Sequence, residues 1–316
     1  MAGRRGKGRN RGAWIIGGVL LAAGLFAALT PVVHKAGRGP GWDIMPDDWF
    51  ARPVRGDPAT WASKGPRLTL EVAAARVAVM PEDRPDIAVT AAPGLRVVRD
   101  GANVTVSDGS RPPGWFARRC GPGKTTEPTI TVRAPRNLAI ASRGHVTGTI
   151  GPMQDLQLVS AGCGRWDIAA VEDVLRLAQK GVGDIHATTA RLATARIDGD
   201  GRIELAKARE GLDAYVDGPG VMTAGQVEGR LDAELWGRGA IVVSRGFTQR
   251  AFLFAKGRGH IEHGGVISTL TAEAREKAVI RIGVVAGTVS GVEKGGGLVR
   301  YSRPANRRFC RGMACD

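Results

Sequence analysis

Between Leu138 and His263 the chain alternates apolar and polar residues on both sides of a glycine that returns every 18–20 residues. Counted back from the second glycine of each corner, positions −8 hold Leu156, Leu175, Ala193, Leu212, Leu231 and Ala251. Positions −6 hold Leu158, Leu177, Ala195, Ala214, Ala233 and Leu253. Between these two columns lie Gln157, Arg176, Thr194, Asp213, Asp232 and Phe252. Two residues after the second glycine stand Trp166, Ile185, Ile203, Met222, Ile241 and Ile261. Four residues after it stand Ile168, Ala187, Leu205, Ala224, Val243 and His263. A period of two on both sides of a fixed turn predicts half-buried strands rather than helices.

The corners are Gly162/Gly164, Gly181/Gly183, Gly199/Gly201, Gly218/Gly220, Gly237/Gly239 and Gly257/Gly259, preceded by a single Gly144. Glycine is expected at the corners because it reaches a left-handed backbone at little cost and lets stacked corners approach closely. A period of this length marks a solenoid, in which each repeat is one turn of a coil and buries its apolar face only by stacking on its neighbours. The fold class that follows is all-β: a single-stranded parallel β-solenoid (β-helix) of about eight or more coils, each of about 18–20 residues. Before the repeat, Leu68-Leu70-Val72, Ile87–Thr90, Leu95–Val98, Val104–Val106 and Thr129–Val132 read as short strands between Pro, Gly, Asp and Asn turns. Residues 109–127 read as a loop. Residues 272–277, Ala-Glu-Ala-Arg-Glu-Lys, read as one helical turn or a loop.

The runs DLQLVSAGCGRWDIA, VLRLAQKGVGDIHA, ARIDGDGRIELA, GLDAYVDGPGVMTA and RLDAELWGRGAIVV, and the ending Gly295-Gly-Gly-Leu-Val-Arg-Tyr301-Ser-Arg-Pro304, carry a family resemblance. Over about residues 67–304 the chain resembles the bacterial auto-transporter adhesin head GIN domain family, a domain of unknown function. The Gly-Ser-Gly-Asp corners usual in that family are diversified here to Gly-Cys-Gly, Gly-Val-Gly, Gly-Asp-Gly, Gly-Pro-Gly and Gly-Arg-Gly. The resemblance implies a β-solenoid outside the cytoplasmic membrane. It supplies no catalytic residues.

The N-terminus reads as an address. Residues 1–12 are basic, and Ala13 to Val33 carry no charge. That uncharged length spans a bilayer core of about 30 Å as a helix. It predicts a transmembrane signal anchor over 13–34, basic end inward, with a cleaved signal peptide as the alternative. The expected location is a bacterial inner membrane, single-pass, with the N-terminus cytoplasmic and the solenoid periplasmic. A linker or collar over 35–66 follows, containing Trp42, Trp49, Phe50 and Trp61, then the solenoid over 67–304 and a basic tail with cysteines over 305–316.

The net charge of +15 suggests nucleic acid less than its size implies. Residues 1–12 carry five of these charges, Lys35 one and residues 303–316 three, which leaves +6 for everything else. The arginines are interspersed with acids rather than clustered with aromatics. Nucleic acid is therefore not expected as a partner; an envelope polysaccharide or protein is, and homo-oligomerisation stays open.

An exported location permits disulfides. Four cysteines allow three full pairings. Cys310 and Cys315 could bond each other, or one of them could tie the tail to Cys120. No metal or cofactor site is expected from the cysteines or from His260 and His263, which alternation places on opposite sides of a strand.

Arg165/Asp167, Asp184/His186 and Arg202/Glu204 occupy outward positions on three successive coils. That array reads as a solubilising charge ladder, because flanking arginines hold carboxyls ionised when a catalytic acid must be neutral. Tyr215, Trp236, Phe252 and Phe254 form a candidate aromatic binding strip. The expectation for 264–304 is a cap folded back over these rings, since a solenoid needs its edge covered. The function this supports is a membrane-anchored, exported, non-enzymatic scaffold or adhesin-like binding module. A polysaccharide-active β-helix enzyme and a self-associating envelope protein are the alternatives.

Overall fold

The structure is a computed structural model that describes residues 65–109, 127–302, 306–311 and 314–315. The basic N-terminus, the expected transmembrane span and the Trp-containing collar lie outside the described residues. Among the described residues no helix is long and apolar enough to cross a membrane.

The described chain is a parallel β-solenoid. The arm before each corner stacks in register through Asn137–Ile150, Asp155–Cys163, Val174–Gln179, Asp184–Asp198, Arg202–Gly218, Gly229–Gly237, Phe247–Gly257, His260–Glu276 and Val279–Lys294. The arm after the corner stacks likewise, as in Trp166 on Gly148, Ile185 on Trp166 and Ile203 on Ile185. A short third arm, with Ala190, Ala208 and Val227 pointing inward, closes each coil. Register shifts such as those at Ala190/Leu192 and Gly229/Arg230 separate it from the next coil's first arm. These are β-bulges, which bend a strand without ending its pairing.

The columns read from the alternation are the core. Leu156, Leu175, Leu212, Leu231, Ile185, Ile203, Met222 and Ile241 are all buried in one continuous apolar cluster. Each such Leu or Ile contributes roughly 1.5–3 kcal/mol relative to an exposed one.

The corners need glycine, for a different reason at each of the two places. From Gly199 onward the left-handed backbone falls on the first glycine, with φ of +123° there. At the second place it occurs in Gly164, with φ of +103°, where a Cβ would also lie 2.2 Å from the Val146 carbonyl oxygen of the coil below. The second glycines Gly183, Gly201, Gly220 and Gly239 are buried and are not left-handed. They are interior spacers, not exposed turn residues. The chain has already turned inward when it reaches them, and a side chain or backbone of the coil below fills the space. A Cβ would lie 2.4 Å from the Gln179 side chain at Gly201 and 2.4 Å from that of Ile197 at Gly220. It would lie 2.9 Å from the Gly164 carbonyl oxygen at Gly183 and 2.3 Å from that of Gly220 at Gly239. None of the four can therefore present itself to a ligand.

The solenoid is longer at both ends than the glycine repeat. Arg67–Glu82 is itself the first coil, stacked on Asn137–Ile150 with Leu68 on Ile140 and Val77 on Gly148. Its corner passes through an irregularity between Glu71 and Ala74 instead of through glycine. Beyond it, Asn103–Ser107 and Thr129–Pro135 pair in parallel with its two halves. The short strands Arg96–Asp100 and Ala88–Ala91 then pair antiparallel with those.

Two expectations for the C-terminal part are corrected. Residues 272–277 are not a helical turn; they lie mostly within the strand His260–Glu276. Of the expected cap over 264–304, the described residues 264–302 do not fold back. They continue the stack, with Phe254 on Glu273 and Glu273 on Val292. The alternation persists through this region, so stacking another coil buries Leu270, Ala272, Ala274, Ile280 and Val289, which a cap over the outer face would have left uncovered. The last strands, Asn306–Arg311 and Ala314–Cys315, pair antiparallel with each other.

Cys163, which is not among the cysteines expected in bonds, is buried and disulfide-bonded. Its partner lies outside the described residues, as do the side chains of Cys120, Cys310 and Cys315.

Candidate functional site

Two outward surfaces gather chemistry-bearing side chains. The first is on the arm after the corner. Parallel register places Asp167, His186 and Glu204 in one column, each a coil from the next. They border a groove of about 350 Å³ whose other walls include Ile150, Ile168 and Ala187. Asp167 takes a forked pair of hydrogen bonds from Arg165, at 2.8 and 3.0 Å. That contact holds the Asp167 carboxyl below the ordinary carboxylate range. His186 Nδ1 lies 3.1 Å from Glu204 Oε2. The expected stacking of Arg165 on Asp184 and Asp184 on Arg202 is present in the register. Arg165, however, turns to Asp167 on its own strand, two residues away on the same face. A carboxylate held ionised by a guanidinium does not serve as a general acid.

The second surface is the outer face of the arm before the corner. Three of its columns run Asp213–Asp232–Phe252–Thr271, Tyr215–Glu234–Phe254–Glu273 and Asp217–Trp236–Lys256–Arg275–Lys294. Trp236 and Phe254 pack at 4.8 Å between ring centroids, tilted by 42°. Phe252 packs beside them. Tyr215 does not join this cluster. Glu234 stands between it and Phe254 in their column, and Tyr215 instead lies under the Arg196 guanidinium at 4.3 Å.

The aromatic cluster is ringed by cations. Lys256 Nζ lies 5.6 Å from the Trp236 ring centroid, and the Arg275 guanidinium lies 5.4 Å from that of Phe254. Lys256, Arg275 and Lys294 follow one another on successive coils, about 4.8 Å apart. Arg275 pairs with Glu273, and Lys256 approaches Glu276 at 3.7 Å. Burial holds Lys294 below the ordinary lysine range. Like charges stacked across strands repel, and the carboxylates of Glu273 and Glu276 offset part of that repulsion.

The strip is less exposed than the sequence suggests. Phe254, though outward, is only 4% exposed and Glu273 only 1%. Reading the sequence does not single out the cationic column. Its signal is there, because Lys256, Arg275 and Lys294 recur at the coil period; reading 272–277 as a loop takes the three residues out of register.

Among the described residues no three His, Cys, Asp or Glu side chains are grouped to hold a metal ion. His263 points into the core and His260 outward, on opposite sides of their strand. No family model and no curated protein matches the sequence. Among solved structures, the chain is similar to a crystal structure of a "putative adhesin" from Parabacteroides distasonis. The two are 15% identical with a TM-score of 0.49, over 77% of this chain and 94% of that one.

Proposed function

We propose that the protein is a membrane-anchored, non-enzymatic binding scaffold of the bacterial cell envelope, a GIN-like solenoid held outside the inner membrane by residues 13–34. Its ligand is an anionic envelope polysaccharide. The observation that carries this reading is the column Lys256–Arg275–Lys294 running beside the packed rings of Trp236 and Phe254. Aromatic faces stack on sugar rings, and a row of cations spaced at a strand repeat matches a polymer carrying a charge on every residue.

The polysaccharide-active enzyme is less well supported. Its best site, the Asp167–His186–Glu204 groove, has one acid committed to Arg165 and the other to His186. Self-association by end-to-end stacking is disfavoured by the short antiparallel strands at both ends, Arg96–Asp100 and Ala314–Cys315.

The test is retention of the full chain, in mild detergent, on immobilised polygalacturonate and on an uncharged glucan. Retention on the polyuronate alone, weakened at least tenfold by Trp236→Ala with Lys256→Ala, is the expected result. Equal retention on both supports, or none on either, overturns the reading. Shortening of the polymer on long incubation, abolished by Glu204→Gln, would establish the enzyme instead.

A further inference from the structure

We infer that the acidic, aromatic stretch 42–50 of this same chain, Trp-Asp-Ile-Met-Pro-Asp-Asp-Trp-Phe, docks on the Trp236–Phe254 face and covers its cationic column. Phe254 and Glu273 point outward by strand alternation, and Trp236, Phe252 and Arg275 of the same face pack against them. The Trp236 indole N–H is buried and meets no acceptor among the described residues. A buried donor of this kind calls for an oxygen from whatever lies above it.

Charge selects the occupant. Outside the described residues, 1–12 and 110–126 are each net basic, as is the tail 303–316, of which only 306–311 and 314–315 are described, and a column of Lys256, Arg275 and Lys294 repels them. The stretch 42–50 carries Asp43, Asp47 and Asp48 with no Lys or Arg, together with four large apolar residues and Met45. The order of charges matches as well. Downstream of the three acids come Arg52 and Arg55. On the solenoid, the cations of the later coils give way to Asp232, Glu234 and Asp217 on earlier ones. A chain laid from the later coils back toward the first therefore sets Arg52 and Arg55 against these acids before it reaches Arg196 and Arg176 on the coils below.

The reach is sufficient. Gly65 and Pro66 lie against Asn137 and Ala139, at the start of this same face on the first coils. The column from Arg67 through Ala139, Gln157, Arg176, Thr194, Asp213 and Asp232 to Phe252 rises by seven strand steps, about 34 Å. The fifteen residues from Phe50 to Gly65 span up to about 50 Å when extended. Docking would hold the solenoid lengthwise against its own juxtamembrane segment. It would also occlude the surface assigned above to polysaccharide, and for that consequence alone the inference rests on that reading.

The experiment places the photo-reactive residue p-benzoylphenylalanine at Phe252 of the full chain in mild detergent, irradiates it, and maps the cross-linked peptides. The expected partner is a peptide containing 42–50. Its yield falls at least fivefold when Asp43→Ser, Asp47→Ser and Asp48→Ser are combined. Cross-links only to another segment, only to a second copy, or none at all overturn the inference. The same acid-free variant is then applied to polygalacturonate. Retention at least tenfold stronger than wild type shows that the segment masks the site. A mapped cross-link with no retention in either protein leaves docking standing and removes the polysaccharide; retention without the cross-link does the reverse.

Discussion

Glu276 stands on Gly257 in the corner column and takes up a left-handed backbone, with φ of +62° where Gly257 has +114°. It is the one non-glycine residue in that region of φ among the described residues. A side chain there costs about 1–2 kcal/mol. The partial return is an exposed ion pair with Lys256 at 3.7 Å, worth under about 1 kcal/mol. Replacing Glu276 by Gly should therefore raise unfolding stability by about 0.5–1 kcal/mol after the added flexibility of the unfolded chain is counted. The same side chain one coil earlier should act oppositely. A Cβ at Gly257 would lie 2.3 Å from the Gly237 carbonyl oxygen, so Gly257→Glu should cost about 3 kcal/mol or more. Denaturant melts of the two variants should shift in opposite directions; shifts of the same sign would refute the assignment of both to one corner column.

Among the described residues Trp166 is the largest fully buried side chain, and Gly148 directly beneath it in the ladder makes the room. A Cβ at Gly148 would lie 2.2 Å from the Trp166 ring. Gly148→Ala should destabilise by about 2–3 kcal/mol through overpacking. Combined with Trp166→Leu it should cost less than the two single changes together, by about 1–2 kcal/mol. Additive costs in that double-mutant cycle would mean that the ring and the glycine do not share one space.

These two positions also show what can be read from the residues alone. The solenoid, its coil length and its inner columns follow from glycine spacing and period-two alternation, because stacked corners leave no room for a Cβ and only one face of each arm is dry. Spacing does not tell which glycine of a corner turns the chain and which, like Gly201 or Gly239, only makes room inside it; that division needs the backbone. The ends are harder to read. At Arg67–Glu82 the first coil turns through Val72-Ala73, with no glycine to mark it. At 272–277 the corner glycine is replaced by Glu276, and a run of Ala, Glu, Arg and Lys has the composition of a helix although its alternation is that of a strand. Missing that corner hides the alignment of Lys256, Arg275 and Lys294. Tyr215 groups with Trp236 and Phe254 on face alone; the column order, which puts Glu234 between them, needs the register.

His263 is a buried imidazole between Val243 and Ile282 in an inner column, with Nε2 3.0 Å from the Thr248 hydroxyl. Burial lowers its pKa from 6.5 to about 4. Between those values the unfolded chain binds a proton that the folded chain refuses. The His263 contribution to stability is therefore intact above about pH 6.5 and falls as pH drops toward 4, by about 3 kcal/mol at the limit. The double variant His263→Val with Thr248→Val removes both polar groups from the core and should lose that component. Unfolding free energies measured at pH 7 and pH 4 should differ by about 3 kcal/mol more in the wild type than in the variant. Equal differences in the two proteins would show that protons reach His263 in the folded state.

The Cys163 disulfide can be assigned by distance. From Val159, on the same strand as Cys163, the ladder runs through Ala178, Arg196, Tyr215, Glu234, Phe254, Glu273 and Val292 to Cys310. That is eight strand steps, about 38 Å, whereas a disulfide needs its Cα atoms within about 7 Å. Cys315 lies opposite Cys310 in an antiparallel pair and is as remote from Cys163. Cys120 is the cysteine that remains, between Asn103–Ser107 and Thr129–Pro135, both of which stack at the first coil. A non-reducing tryptic digest should therefore yield the Cys120 and Cys163 peptides joined to each other, and the Cys310 and Cys315 peptides likewise. Cys163→Ser should lower stability by about 2–4 kcal/mol, the range for closing a loop of this length. Cys315→Ser, which opens a far shorter loop at the end of the stack, should cost less. Recovery of Cys163 linked to Cys310 or Cys315 in the monomer would contradict the register of the whole solenoid, because no parallel stack with these pairings brings the two ends together.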